Sequence, residues 1–245
     1  MRFVSKNAYK RGTLVNNQEY TDMKIIAHIR TDFVTKFGIP RQSGLIESLE
    51  GTIIFEPEYR NQDAFRGLDG FSHIWLIWRF SEIVRDTWSP MVRPPRLGGT
   101  QKMGVFATRS PFRPNAIGLS SVKLNRIEQH AEFGPVLHIS GADLLDNTPI
   151  FDIKPYLPYT DSHTDAAGGF TESHVYRELD VHFPPEWLNL IPEKKREALI
   201  GVLSHDPRPH YQNDPERIYG FEFDRFNIKF RVENDTVCIC SVSTQ

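Results

Sequence analysis

Seven basic residues lie in a stretch of the chain that contains no acidic residue. No aspartate or glutamate occurs between Asp86 and Glu128. The basic residues of this window are Arg93, Arg96, Lys102, Arg109, Arg113, Lys123 and Arg126. The whole chain is nearly balanced, with 29 basic and 31 acidic residues. A local patch of this kind attracts a polyanion through its charge and through counterion release, and the alternative is a solvated surface loop.

Proline and glycine interrupt the same stretch at close intervals, which predicts loops and short strands rather than a helix. These residues are Pro94, Pro95, Gly98, Gly99, Pro111 and Pro114. Loops that are stiffened by proline and carry charge are frequent places for function.

Two further polar clusters, residues 40–42 (PRQ) and 143–149 (DLLDNTP), also fall in predicted loops. Carboxylates and arginines on neighbouring loops could bind a zwitterionic ligand, because a guanidinium matches a carboxylate with two hydrogen bonds. The alternative for Asp143 and Asp146 is a purely structural role, since aspartate favours turns by hydrogen bonding to nearby backbone groups. For His73 the alternative is a buried histidine whose ring bonds to the backbone.

Several function classes lack their sequence signatures. The chain has no glycine-rich dinucleotide loop, Walker loop, HExxH or GxSxG motif, and its nine histidines show no metal-ligand spacing. We therefore expect no metal site. No apolar run approaches the roughly 20 residues of a membrane span, and the first residues lack the apolar core of a secretory signal. Cys238 and Cys240 lie too close in sequence to favour a disulfide, which indicates a reducing compartment, the cytoplasm.

Short strands separated by turns dominate the pattern, which is typical of an antiparallel barrel or sandwich. The first group of predicted strands covers residues 23–31, 51–55, 74–80, 103–108, 119–127, 135–140 and 150–156. Asn61 is predicted to cap a helical turn. A polar stretch at 159–174 is the predicted boundary. Beyond it we predict a strand at 176–183, a helix with Pro192 in its first turn, and strands at 218–223, 226–232 and 236–242.

The order of several long motifs resembles the TsaA-like, TrmO family. The similar runs are residues 40–42 (PRQ), 71–77 (FSHIWLI), 92–99 (VRPPRLGG), 103–120 (MGVFATRSPFRPNAIGLS), 143–159 (DLLDNTPIFDIKPYLPY) and 206–211, which carries Asp-Pro-Arg-Pro and a tyrosine. The resemblance implies a mainly β fold. It agrees with the residue patterns, which predict an N-terminal extension at 1–22 and a small C-terminal α+β domain at 161–245, and it implies a single antiparallel β-barrel at 23–160. It also implies a homodimer.

The resemblance further implies an S-adenosylmethionine-dependent tRNA methyltransferase that methylates N6 of threonylcarbamoyl-adenosine at nucleotide 37, in the anticodon loop. The cofactor-binding residues that it implies are Pro40, Arg41, Gln42, His73, Ile74, Arg109, Leu119, Asp146, Asn147, Thr148 and Pro149. The family usually has glycine where this chain has Asn147, and asparagine tolerates the positive φ that such a turn needs. The family's usual Ser-Pro-Tyr or Thr-Pro-Tyr is Thr-Asp-Phe at 31–33 here.

Roles follow for the remaining polar residues. We expect Arg93, Arg96, Lys102 and Arg113 to bind RNA phosphates, and Asp143 or Asp152 to accept the proton of the methylated nitrogen. Two alternatives stay open. The chain is either an RNA-binding barrel without catalysis, or a methyltransferase for a different acceptor, because a fold does not determine its substrate.

Overall fold

The computed structural model describes residues 23–82, 87–94, 97, 101–172, 178–208, 214 and 216–244. Its larger sheet is a closed six-stranded barrel in which every pairing is antiparallel, with the order β1-β2-β7-β6-β3-β8. The strands of the first region are β1 Ala27–Arg30, β2 Glu50–Phe55, β3 His73–Arg79, β4 Met91–Val92, β5 Met103–Gly104, β6 Ile117–His130, β7 Gly134–Ser140 and β8 Pro149–Pro155. The predicted mainly β fold with an antiparallel barrel is confirmed.

Alternation along β3 shows how the barrel fills its interior. Ile74 and Leu76 are fully buried and Trp78 nearly so, whereas Trp75 and Ile77 between them face outwards and stay half-buried. A strand with this period presents one apolar face to a core. Equivalent inward residues from the other strands complete the core; examples are Ala27, Ile29, Ile53, Val122, Leu124, Leu137, Ile139 and Ile150.

Several predicted strands differ in length from the structure; β1, for example, is Ala27–Arg30 rather than 23–31. The strand predicted at 103–108 ends at Gly104, because its partner β4 has only two residues, and a 3₁₀ helix follows at Val105–Ala107. Conversely, β6 runs from Ile117 to His130 and is longer than predicted, since it pairs with both β3 and β7 and contains a bulge at Asn125. Asn61 caps a 3₁₀ helix, Gln62–Phe65, by accepting from the backbone N–H of Asp63.

The second sheet has the order β10-β11-β12-β9. Its strands are β9 Asp180–His182, β10 Tyr219–Phe223, β11 Phe226–Glu233 and β12 Thr236–Thr244; the helices are α1 Pro158–Asp161, α2 Pro185–Leu188 and α3 Glu193–Ser204. The predicted strand at 176–183 is shorter, and residues 173–177 lie outside the described part. Pro192 is the N-cap of α3 rather than a residue of its first turn. Asn234 and Asp235 both have positive φ, as a two-residue hairpin turn requires.

The loop between β1 and β2, residues 31–49, packs against the second sheet rather than against the barrel interior. Phe33, Ile46 and Leu49 are buried in the second core, and the Phe33 ring meets the Phe223 ring edge-on with 5.8 Å between their centres. We call residues 31–49 the anchored loop. Among the described residues, no helix is long and apolar enough to cross a membrane.

Candidate functional site

A cavity of about 540 Å³ opens between the anchored loop and the loop before β6, a size typical of small-molecule sites. Its polar lining residues are Lys36, Arg41, Gln42, Ser81, Glu82, Thr108, Arg109, Arg113, Asp143 and Thr148. Its apolar lining residues include Ile39, Pro40, Trp75, Trp78, Phe80, Pro111, Ile117, Leu119 and Leu145. The cavity therefore joins three clusters that are far apart in sequence: residues 40–42, the loop at 108–113, and Asp143.

The anchored loop forms the first wall of the cavity, and its close packing against the second sheet depends on a glycine. Gly38 has a φ of +93°, and a Cβ there would lie 2.7 Å from the Phe221 ring. Only glycine allows this close approach with that backbone conformation. Gly44 donates its N–H to the carbonyl of Gly141 at 2.9 Å. Residues 40–42 are thus held between the second sheet and the strand-end turn after β7.

An ion pair adds to this attachment. The Lys195 ammonium, on α3, pairs with the carboxylate of Asp32 and lies 3.1 Å from that of Asp224. The Asp224 N–H also donates to the Asp32 carbonyl at 2.7 Å. The Lys195 and Asp32 side chains are largely buried, so solvent screens their attraction less than it would on the surface.

The second wall comes from the acid-free stretch, of which the structure describes residues 87–94, 97 and 101–116 up to β6. We call residues 87–94 and 101–116 the basic wall. Arg113 folds back and donates to the Thr108 carbonyl at 2.7 Å, which fixes the loop that lines the cavity. Arg109 donates to the side-chain oxygen of Gln42 in the anchored loop. This hydrogen bond connects the two walls.

A partly buried carboxyl lies on the floor of the cavity. The Asp143 carboxylate accepts from the Ser120 hydroxyl at 2.7 Å, and Ser120 accepts from the Trp78 indole N–H at 2.9 Å. Burial raises the pKa of the Asp143 carboxyl from 3.8 to about 6, while the hydrogen bond from Ser120 and the positive charge of Arg109 oppose that rise. Above pH 6 this group is a partly desolvated carboxylate that can accept a proton.

The polar side chains of the turn before β8 bond mainly to the turn itself and to residues 30 and 31. The Asp146 carboxylate accepts from the Thr31 N–H at 3.0 Å and from Arg30 at 3.2 Å. Asn147 has a φ of +61°, the conformation for which asparagine was expected to substitute for glycine. Thr148 is buried and donates to the Leu145 carbonyl at 2.7 Å. Of residues 146–149, Thr148 is the one that lines the cavity.

The remaining predicted residues lie in the cavity lining, in the barrel core or on other surfaces. Leu119 lines the cavity and is 55% exposed, whereas Ile74 is fully buried in the barrel core. His73 lies outside the cavity lining, two positions before Trp75 on the outer face of β3, near the Tyr156 ring. Asp152 also lies outside the lining and pairs with Lys154 at 2.8 Å.

Three of the four residues predicted to bind RNA lie on the basic wall. Arg93 follows β4 and is exposed, and Lys102 precedes β5 and is exposed as well. Arg113 is partly buried in the cavity wall. Arg96 lies outside the described residues. Exposed aromatic rings accompany these charges, since Trp88 stacks on Phe106 with 6.1 Å between ring centres.

Sequence reasoning missed several residues of the site. Lys36 and Glu82 line the cavity and pair with each other at 3.2 Å, and Trp78 and Ser120 connect to Asp143. Strand alternation was the available signal for Ser120, because an inward-facing serine between Gly118 and Val122 interrupts an otherwise apolar barrel face. No comparable signal pointed to Lys36 or Glu82, whose pairing spans a loop and a strand end.

The arrangement suits a zwitterionic nucleoside better than a metal. An arginine of the cavity can bind a carboxylate with two hydrogen bonds, and the aromatic and aliphatic side chains of its lining can cover a base. Asp143 can accept a proton or a hydrogen bond. Within the described residues, no group of three or more histidine, cysteine, aspartate or glutamate side chains could hold a metal ion.

Two family models match the chain. The tRNA-methyltransferase O N-terminal domain matches residues 28–162, and the TrmO C-terminal domain matches residues 177–245. Together they cover the barrel and the second sheet.

Individual relatives match over most of their length. The tRNA (adenine(37)-N6)-methyltransferase of Escherichia coli is 41% identical over 84% of this chain and 91% of its own. The protein of that name from Eikenella corrodens is 47% identical over 70% of this chain and 97% of its own. The crystal structure of TrmO from Pseudomonas aeruginosa superposes with a TM-score of 0.73 at 31% identity, over 90% of this chain and 98% of that chain.

Proposed function

Because the chain belongs to the tRNA-methyltransferase O family, we propose that it transfers a methyl group from S-adenosylmethionine to N6 of threonylcarbamoyl-adenosine at nucleotide 37 of tRNA. Relatives at 41% and 47% identity are named tRNA (adenine(37)-N6)-methyltransferases. The observation that carries the proposal is the cavity in which Arg109, Gln42 and Asp143 meet.

The residues of the cavity fit this cofactor. When bound, S-adenosylmethionine supplies an electrophilic methyl group on a sulfonium centre. Arg109 or Arg41 would hold its carboxylate, and the apolar side chains, Leu119 among them, would cover the adenosine. Pro40, Gln42 and Thr148 would complete the contacts. A relative from Pseudomonas aeruginosa, 40% identical, is named a putative S-adenosylmethionine-dependent methyltransferase.

Asp143 is the proposed proton acceptor. As the nitrogen lone pair forms the new N–C bond, the nitrogen must lose its proton, and a carboxylate within hydrogen-bond reach can take it. Burial raises the pKa of Asp143 to about 6, so the group is ionised at neutral pH yet more basic than a surface aspartate. Asp152 fits less well, because its carboxylate lies outside the cavity lining and pairs with Lys154.

The basic wall is the proposed binding surface for tRNA. Arg93 and Lys102 are exposed there, and the described part of the wall contains no acid to oppose them. Phosphates would be held by these charges, whereas the target base would leave the partly stacked anticodon loop and enter the cavity. The Trp88 and Phe106 rings offer a face on which a base of the loop can stack.

The acceptor is tested by nucleoside mass spectrometry of tRNA. Purified protein, S-adenosylmethionine and tRNA that carries threonylcarbamoyl-adenosine should yield its N6-methyl derivative, and tRNA from a strain without the gene should lack that nucleoside. Equal methylation of tRNA with unmodified adenosine 37 would point to a different acceptor. Calorimetry separates an enzyme from a silent RNA-binding barrel, since the latter would bind tRNA without binding the cofactor.

Assembly and location follow from the same proposal. The family resemblance also implies a homodimer, and light scattering at several protein concentrations tests it. We propose a cytoplasmic location as well, which a tRNA substrate and two free cysteines support.

A further inference from the structure

The hydrogen bonds beneath Asp143 have a fixed direction. An indole N–H donates and cannot accept, so the Ser120 oxygen must be the acceptor of its 2.9 Å bond with Trp78. The hydroxyl has one proton, and the 2.7 Å contact with Asp143 is where that proton lies. Trp78 thus turns the serine into a donor toward the carboxylate, and a donor favours the ionised form of its acceptor.

Strand register builds this arrangement. Trp78 of β3 lies directly opposite Gly118 of β6, and a Cβ at Gly118 would come within 2.2 Å of the indole ring. The ring therefore occupies the space that a side chain at 118 would fill. Ser120 is two positions further along the same face of β6, within reach of the indole N–H. Ser120 is 1% exposed, so water does not compete for its hydroxyl.

Other charges also act on Asp143. Arg109 favours the ionised carboxylate, and a hydrogen bond from the Ser43 backbone does the same from the anchored loop. The remaining charged groups that line the cavity are Lys36, Arg41, Glu82 and Arg113. Glu82 is paired with Lys36 at 3.2 Å. Burial opposes all of these favourable contacts and is the largest single influence on the pKa of Asp143.

We propose that Trp78 and Ser120 are positioning residues that hold the Asp143 carboxylate ionised and fixed in orientation on the cavity floor. The inference rests on the proposed function, in which Asp143 accepts the proton of the methylated nitrogen. It goes beyond that function by assigning the control of this proton acceptor to two residues inside the barrel. Neither residue lies among the cofactor or RNA contacts that the sequence predicted.

The test measures the titration of Asp143 directly. In protein with ¹³C-labelled aspartate and no substrate, the carboxyl signal that is lost in Asp143→Asn gives the midpoint. Ser120→Ala should raise that midpoint by about one pH unit or more, because a hydrogen bond to a charged group is lost. Trp78→Phe should raise it less, since the serine keeps its hydroxyl but loses its fixed direction. Ser120→Thr should restore it, and Ser121→Ala, on the outer face, is the matched control.

The same variants are then assayed for methylation across pH. If the acid limb of kcat shifts upward by the same amount as the midpoint, the positioning role is supported. A midpoint in Ser120→Ala equal to that of Ser121→Ala overturns it, whatever the activity. A shifted midpoint with an unshifted acid limb also overturns it, because Asp143 then accepts no proton in the reaction. Failure of the proposed function itself is distinct, since the tRNA would then show no methylated nucleoside with the wild-type protein.

Discussion

The anchored loop packs three apolar side chains into the second core, whereas the basic wall on the other side of the cavity exposes two aromatic rings to solvent. Phe33, Ile46 and Leu49 are each at most 6% exposed, while Phe106 is 73% and Trp88 48% exposed. Full burial of such side chains contributes about 1.5–3 kcal/mol each. The position of the anchored loop is thus determined by the fold, and the basic wall keeps its surface for a partner.

This difference separates the two binding tasks of the proposed enzyme. A small cofactor needs donors at fixed positions, which a loop held by a core and an ion pair provides. A long polyanion needs charge over an area, and exposed side chains supply it with little dependence on exact placement. Changes in the anchored loop should therefore affect stability and cofactor affinity together. Changes at the exposed charges of the basic wall that lie outside the cavity lining, Arg93 and Lys102, should affect tRNA affinity alone.

The largest effect is expected from Gly38→Ala. Its Cβ would strike the buried Phe221 ring, and its φ of +93° disfavours any side chain. We expect the free energy of unfolding to fall by about 2–4 kcal/mol and the cofactor affinity to fall with it. Urea unfolding and calorimetry measure both. Gly44→Ala is the matched control, because φ is also positive there but no atom lies within 4 Å. Equal losses in the two variants would contradict the anchoring.

The Asp143→Asn variant tests whether the carboxyl on the cavity floor is desolvated. The measured quantity is the pH dependence of stability. The native pKa of about 6 exceeds the ordinary 3.8, so the native state binds this proton more tightly than the unfolded chain does. The wild type therefore loses stability as the pH rises from about 4 to about 6, by at most about 3 kcal/mol at about 1.4 kcal/mol per pKa unit.

The Asp143→Asn variant should not show this loss of stability, because its side chain is always neutral. Its amide oxygen can still accept the hydrogen bond from Ser120. We expect it to melt higher than the wild type at pH 7.5, by a margin that shrinks at pH 4.5, and to lose methylation by about 10²-fold or more. A margin that does not change with pH would show that the carboxyl is not desolvated.

A smaller effect is expected from Lys195→Met. The substitution leaves the carboxylates of Asp32 and Asp224 without their shared cation, close together and partly buried. A loss of about 1–2 kcal/mol in unfolding free energy is expected, between the values of exposed and buried pairs. Lys229→Met, at an exposed position on β11, should change stability by less than about 0.5 kcal/mol. If both variants unfold alike, the ion pair does not hold the loop.

The smallest stability effect is expected in the basic wall. Lys102→Gln and Arg93→Gln should each weaken tRNA binding and reduce the slope of its salt dependence by about one counterion. Melting temperature and cofactor affinity should stay at wild-type values, because both side chains are exposed. Lys229→Gln makes the same change of charge away from the cavity. An identical salt slope in Lys229→Gln and Lys102→Gln would remove the basic wall from tRNA binding.

Local sequence signals predicted the parts of the fold that depend on neighbours along the chain. The strand predicted at 74–80 corresponds to β3, and the strand predicted at 226–232 corresponds to β11. Asn147 adopts the positive φ for which its residue type was suited. The strand predicted at 103–108 failed because strand length depends on the partner, and β4 is short.

The site depends on contacts that no local pattern encodes. Phe33 and Ile46 are typical loop hydrophobes, and nothing near them in sequence shows that they pack against a sheet and helix near the other end of the chain. The bond between Arg109 and Gln42 likewise spans two loops, and only the family resemblance placed both in one site. Desolvation of Asp143 follows from the closed barrel and could not be derived from its neighbours.

The position of the second sheet in the chain determines how late the cavity can form during synthesis. Its strand β12, Thr236–Thr244, lies between β11 and β9, and it is synthesised roughly 190 residues after the loop at 31–49. At a synthesis rate of about 5–20 residues per second, about 10–40 s pass between the synthesis of that loop and the synthesis of β12. The barrel strands are complete well before then. The barrel strands are therefore available for pairing before the support of the loop at 31–49 exists, and the proposed cofactor cavity is complete only after β12 has been synthesised.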